Sequence, residues 1–290
     1  MTRILHLSDT HVSATGVDMD GVDAIASLER LLHDARHVPD LDLVVVSGDI
    51  ADDGSVAGCK AVLDRVGAFA AARGIPHVYS TGNHDDRTSF RDALGSGHLN
   101  ADGSDRGELL DRNGDLRAAV SHVNGLRVIT LDSLVPGKVY GIIDSDQLAW
   151  LSELLASPAE NGTVVVFHHP PVRLPSMPHV KTFVLQNIED LERVVRGKDI
   201  RAVLTGHLHF QVSGFLAGAP VWVTPGVVTR MDTTTAPHLV RGVLGASATV
   251  VDLSEPAAPT FHLLIACDPR AGEEVYVYNP STDQDVHEEA

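Results

Sequence analysis

The chain predicts an α/β fold with a largely parallel sheet, on three observations. Short apolar runs alternate with longer segments of helical periodicity through the first half. Five such runs end in small clusters of Asp, Asn and His. The last quarter switches to short strands separated by Gly and Pro. Strand–helix–strand repeats require crossover connections, and crossovers make parallel pairs.

Taken in order, residues 3–8 form a strand, 24–38 a helix and 43–47 a second strand. Residues 56–73 are an Ala-rich helix with Ser55 as its N-cap, ended by Gly74 and Pro76, and 77–81 are the third strand. From 89 to 117 the chain changes character: Gly95, Gly97, Gly103, Gly107 and Gly114 among Asp and Asn predict a long irregular excursion, with room for one short helix, at the rim of any site beside Asn83-His84. Residues 118–122 and 126–132 flank Asn124-Gly125, the residue pair of a tight hairpin. Ser145 caps a helix over 146–155, a buried strand spans 163–167, and a Pro-rich loop covers 170–178. A helix over 184–195 and a strand over 202–205 follow. Strands at 211–215, 221–224, 248–252 and 261–264 predict a mostly antiparallel edge packed on the first sheet. Residues 1–278 read as a single domain, and 279–290, polar and acidic, as a flexible tail.

At 290 residues and 43% hydrophobic the chain can bury a substantial core. It has no apolar run near the roughly 20 residues of a membrane span and no basic, apolar leader, which predicts a mature, cytoplasmic protein. Cys59 and Cys267 read as reduced thiols. A net charge of −17 repels a phosphate backbone and excludes a nucleic-acid duplex as partner. It leaves open a small phosphorylated substrate, because buried divalent cations dominate their local field.

The five clusters carry the chemistry. They are Asp9-Thr10-His11, Gly48-Asp49, Gly82-Asn83-His84-Asp85, His168-His169-Pro170 and Gly206-His207-Leu208-His209, each just after an apolar run. Open α/β sheets gather ligands at the carboxyl ends of their strands, so the five converge on one site. Carboxylate, amide and imidazole donors without thiolate suit a two-metal centre for Mn, Fe, Zn or Co. Asp9 and His11, two apart in an extended segment, would face one ion together, and His207 and His209 repeat the arrangement. Asp49 follows a glycine that lets the backbone turn, and a carboxylate with two oxygens can bridge two cations.

Here the chain resembles the calcineurin-like metallophosphoesterases, over about residues 3–210, through Asp-x-His, Gly-Asp, Gly-Asn-His-Asp, a histidine near proline, and Gly-His-x-His. The resemblance implies a four-layer α/β/β/α sandwich, two central mixed sheets between helices, with a dimetal site at one sheet edge. By the same resemblance a first divalent or mixed-valence ion takes Asp9, His11, Asp49 and His209, and a second takes Asp49, Asn83, His168 and His207. His168 is preferred to His169, which then lines the pocket or packs beneath it. The implied chemistry is attack on phosphorus by a metal-bridging hydroxide, with His84 as general acid and Asp52 holding it. The bland alternative for Asp52 is a residue at the start of the following helix.

Departures narrow the resemblance. Asp53 and Thr81 stand where protein Ser/Thr phosphatases carry phosphate-gripping arginines, and Ile50-Ala51-Asp52 supplies no tyrosine ligand of the purple acid phosphatase kind. The motifs are most similar to the class III cyclic nucleotide phosphodiesterase branch. That implies hydrolysis of small phosphodiesters, 3',5'-cyclic AMP first and glycerophosphodiesters second, with substrate contacts from 89–117 and 170–177 and a homodimer. A catalytically inactive binding scaffold is the alternative of a different class. Among the remaining histidines, His98 and His179 are the two placed near the rim.

Overall fold

In a computed structural model, residues 2–111, 114–236, 238–255, 258–279 and 284–285 are described. The elements in chain order are β1 (Arg3–Leu7), α1 (Ala24–Ala35), β2 (Leu43–Ser47), α2 (Val56–Ala71), β3 (His77–Ser80), α3 (Arg87–Leu94), β4 (His98–Leu99), β5 (Glu108–Leu109), β6 (Ala119–Val123) and β7 (Leu126–Thr130). Then come α4 (Ser145–Leu154), β8 (Thr163–Val166), a 3-10 turn (Pro178–Thr182), α5 (Ile188–Val195), β9 (Ile200–Thr205), β10 (Val212–Leu216), β11 (Ala219–Val223) and β12 (Thr229–Met231). The chain closes with β13 (Val240–Leu244), β14 (Ser247–Asp252), β15 (Thr260–Ile265), β16 (Glu274–Asn279) and β17 (Gln284–Asp285).

Two mixed sheets form the centre. One is six-stranded in the order β15-β14-β1-β2-β3-β4, the other seven-stranded in the order β10-β11-β9-β8-β7-β6-β5. Strands β1, β2 and β3 are mutually parallel, as are β7, β8, β9 and β11. The sequence of β2 shows why the layers stack. Val44 and Val46 pack toward α1 and α2, in a cluster with Leu28, Leu31, Val62 and Val66. Leu43 and Val45 pack the other way, with Ile4 and Val78, against Val128, Val164, Val166 and Leu204 of the second sheet. A strand buried on both faces must be apolar throughout rather than alternating, and all five residues of β2 are buried. The far face of the second sheet (Ile129, Val165, Val203) meets α4 and α5 through Leu151, Leu155, Leu191 and Val195. Helix, sheet, sheet and helix thus form the four layers. The interior cluster that both sheets share is our reason to propose one domain over 1–278.

Several local expectations change. Asp144, not Ser145, caps α4, accepting from Gln147 N at 2.9 Å. Helix α5 starts at Ile188 rather than 184, because the Asn187 amide is used across the fold, donating to the Ile143 carbonyl at 2.7 Å. The excursion 89–117 holds α3, which begins at Arg87 with Asp86 as its cap, and two short strands. Phe90 and Leu94 anchor that helix in the first core. The last quarter does not build a single edge. Strands β14 and β15 extend the first sheet, β10 and β11 extend the second, and β12, β13, β16 and β17 form a separate antiparallel sheet. Within the expected tail, Gln284–Asp285 pairs with β16; residues 280–283 and 286–290 lie outside the described residues. Among the described residues no helix is long and apolar enough to cross a membrane.

Candidate metal centre

The carboxyl ends of β1, β2 and β3 in one sheet, and of β8 and β9 in the other, meet at one edge. The segments leaving β1 and β2 run side by side: Asp9 N donates to Gly48 O at 3.0 Å and His11 N to Asp49 O at 3.0 Å. The second sheet joins through the Asp9 carboxylate, which accepts from His207 N at 2.9 Å, and through His168 Nδ1, 2.8 Å from Ser47 O.

Backbone strain marks this edge. Asp9, His11, Asp49, His207 and His209 have φ of 55°, 44°, 47°, 72° and 54°, five of the eight non-glycine residues with positive φ among the described residues. Left-handed residues are uncommon outside glycine and cluster where surroundings hold them for function. Asp9 and His11 therefore converge through a left-handed turn, not through the alternation of an extended segment. Gly48, at φ 94°, lies so close to the His168 ring that a Cβ there would overlap it.

The side chains assemble into two groups, and Asp49, a member of one, also faces His11 of the other. Asp49 Oδ1 accepts from His84 N at 2.8 Å. Its Oδ2 faces His168 Nε2 at 3.0 Å and His11 Nε2 at 3.6 Å. Any bridging thus falls to one oxygen rather than being divided between two. Asp9, His11 and His209 offer ligand atoms within 4.8 Å of one another, as do Asp49, His168 and His207. His209 Nε2 lies 3.4 Å from Asp9 Oδ1, and His207 Nδ1 lies 3.1 Å from His168 Nε2.

These donors fit a pair of cations. With its Nδ1 on a carbonyl, His168 keeps the ring proton there, and the Nε2 lone pair then faces the Asp49 carboxylate. His11 likewise offers Nδ1 to Asp52 Oδ1 at 2.8 Å and turns Nε2 inward. Two lone pairs facing each other need a proton or a metal between them. His11 Nε2, Asn83 Oδ1 and His207 Nε2 are buried with no hydrogen-bond partner, a state that costs free energy unless something binds them.

Electrostatics agree. Burial opposes ionisation of Asp49, but His168, His84 and His11 hold its carboxyl well below the usual range. Burial likewise opposes charge on His168, which Asp49 and Asp9 outweigh, pushing it up to about 9. Burial and the neighbouring His168 push His207 down to about 3, leaving it neutral with a free lone pair. Burial disfavours charged His84, yet the Asp49 charge and hydrogen bonds that His84 donates to Asp52 push it up to about 10.

Asp52 has two partners. Besides His11, its Oδ1 is 3.3 Å from His84 Nδ1, which lies 3.1 Å from the Asp52 backbone carbonyl. His169 sits beneath, fully buried, its Nδ1 2.8 Å from Ser133 Oγ. His98 is a core residue held between Ser121 and Thr130; the His179 side chain lies outside the described residues.

A cleft opens above the centre, lined by Asp18, Met19 and Asp20, by Thr229, Met231, Tyr276 and Tyr278 of the small sheet, and by Val139, Met177, Val180, Phe183 and Phe210. Met177 belongs to the expected loop, but among the described residues none of 89–117 lines the cleft, because α3 is anchored in the core. The small sheet and the structural role of Asp85 are not legible in the sequence. The Asp85 carboxylate accepts from Ile50, Ala51 and Gly82 N at 2.8–3.2 Å and ties the Asp49 and Asn83 turns together.

The calcineurin-like phosphoesterase family model matches residues 2–211. A cAMP/cGMP dual specificity phosphodiesterase of Mycobacterium tuberculosis is 38% identical over 84% of this chain and 73% of its own. The 3',5'-cyclic adenosine monophosphate phosphodiesterase CpdA of Pseudomonas aeruginosa is 32% identical over 71% of this chain and 69% of its own, and that of Escherichia coli K12 is 28% identical over 79% and 77%. Among solved structures, a purple acid phosphatase from yellow lupin seeds superposes with a TM-score of 0.55 at 12% identity, covering 98% of this chain and 52% of that one. The chain spans about half that enzyme's length, and the likeness concerns the fold. The chain belongs to the calcineurin-like phosphoesterase family. It is a phosphoric diester hydrolase, and the inactive-scaffold alternative is set aside.

Proposed function

We propose that this enzyme hydrolyses small phosphodiesters, 3',5'-cyclic nucleotides and cyclic AMP first among them, at a two-cation centre. Asp9, His11, Asp49 and His209 would hold one ion, and Asp49, Asn83, His168 and His207 the other, drawn from Mn, Fe, Zn or Co. The observation that carries this reading is Asp49 Oδ2, which faces His168 on one side and His11 on the other. When bound, two cations neutralise phosphoryl charge and lower the pKa of coordinated water. Asp52 and the His168–Ser47 contact fix ring orientation and leave the lone pairs aimed inward. His84, its side chain 29% exposed at the cleft and held charged by Asp52 and Asp49, delivers a proton to the departing alkoxide oxygen. The apolar cleft walls accept the non-phosphate part of the substrate.

Relatives named for cyclic nucleotides support the substrate choice. Free Cys59 and Cys267 accord with a cytoplasmic setting, and a homodimer, tested by light scattering, belongs to the same proposal. The deciding experiment assays metal-loaded protein on cyclic AMP, cyclic GMP, a glycerophosphodiester and a phosphomonoester. Turnover of cyclic nucleotides above the others supports the reading, a glycerophosphodiester preference moves the substrate, and monoester hydrolysis alone overturns it.

A further inference from the structure

The small C-terminal sheet is fastened to the first of the two ligand groups. Met231 N donates to the His209 carbonyl at 2.9 Å, and Val227 N and Val228 N donate to the Asp9 carbonyl at 3.2 and 3.1 Å. Thr229, 2% exposed, brings its hydroxyl to 2.9 Å from His209 Nδ1. The backbone at Gly226 passes so close to Thr229 and the His209 ring that a Cβ there would meet both.

These contacts answer two physical needs. Left-handed Asp9 and His209 are strained and persist only when their surroundings fix them. The donors from 227, 228 and 231 do so by holding both carbonyls. A neutral imidazole also carries a single N–H, and its position decides which nitrogen has the lone pair. With Nδ1–H donating to Thr229, His209 Nε2 keeps its lone pair toward Asp9 and the centre. The Thr229 hydroxyl oxygen, accepting that N–H, selects one tautomer.

We propose that Thr229 is a positioning residue that fixes His209 for the first cation, so that the C-terminal sheet sets the affinity of that site and not of the second. His168, on the second site, is held by the Ser47 carbonyl of β2 instead. The proposal rests on the two-cation reading above.

The test titrates metal-free protein with Mn²⁺ by calorimetry, comparing wild type with Thr229→Val, Thr229→Ala and Thr229→Ser. Loss of an outer hydrogen-bond partner typically weakens metal binding about 10–100-fold. T229V should therefore weaken one ion by about that factor and leave the other unchanged. T229S, which keeps the hydroxyl, should retain wild-type affinity. T229V taking two ions with wild-type affinities, or T229S losing the same ion as T229V, would overturn the proposal. Failure of wild type to bind a pair would instead overturn the two-cation reading on which it rests. Should T229V not fold, T229A decides: one weakened ion supports the proposal, and two unchanged ions overturn it.

Discussion

Replacing His84 by alanine isolates proton delivery from metal binding, and the geometry says why. The backbone N–H that His84 gives to Asp49 Oδ1 at 2.8 Å survives the substitution. Asp52 Oδ1 keeps its other partner, His11, at 2.8 Å. The shared carboxylate and the His11 orientation therefore stay in place, and what disappears is an imidazole pushed up to about 10 that stands charged at the cleft. General acid catalysis is worth about 10²–10⁴-fold, or about 2.7–5.4 kcal/mol of barrier. The expected result for H84A is a fall of that size in kcat on cyclic AMP, whose leaving alkoxide needs the proton. A chromogenic diester with a nitrophenolate leaving group should lose far less, and metal content by elemental analysis should remain at the wild-type value. Asp52→Asn should lower kcat too but also disturb His11, and the double variant should fall short of the product of the two losses, since both act through one group. Equal losses on both substrates, or a wild-type rate on cyclic AMP, would refute the assignment.

Other perturbations follow from the same contacts. Asp49→Asn should weaken both ions by more than the 10–100-fold typical of supporting residues, read by calorimetry with Mn²⁺. Metal-free protein should be most stable near neutral pH. Burial holds His6, His98 and His207 at about 3 against a usual 6.5, so the unfolded chain binds more protons than the native state and stability falls from pH 6.5 toward 3. His168 and His84 are raised to about 9 and 10, so their contribution, complete below 6.5, is lost as pH rises through those values. Thermal unfolding in EDTA at pH 4.5, 6.5 and 9.5 checks both limbs, and a higher Tm at 9.5 than at 6.5 would contradict the upper one. Leu204→Ala, in the fully buried interior between the sheets, should cost about 2–5 kcal/mol in urea unfolding.

The parts of the fold that read directly from the residues are those where local pattern and tertiary demand coincide. Leu43–Ser47 is apolar throughout because both its faces are covered. Ser55 caps α2 because its hydroxyl reaches Gly58 N at 3.0 Å within its own turn. Asn124 and Gly125 turn the β6–β7 hairpin with φ of 50° and 77°, the left-handed pair such a turn requires. The clusters at strand ends could be placed at one edge because parallel order alone brings those ends together.

What escaped depends on distant neighbours. Strand β13 hides its alternation at Gly242, where the register shifts against β16. The periodicity from 184 suggests a longer helix, yet α5 starts only after Asn187, whose side chain serves residue 143. Nothing in Asp9-Thr10-His11 announces a left-handed turn, since Asp and His tolerate that conformation without demanding it. Asp52 was read as the partner of one histidine. Its hold on His11, 41 positions away, becomes visible only when β1 and β2 lie side by side.

Mn²⁺-loaded protein examined by electron paramagnetic resonance tests the shared carboxylate most directly. Two ions that shared Asp49 would sit close enough for exchange coupling, so the account predicts two equivalents and the multiline spectrum of a coupled pair, lost in Asp49→Asn. A six-line spectrum of isolated Mn²⁺ at saturation, with one equivalent or with two uncoupled ions, would contradict it.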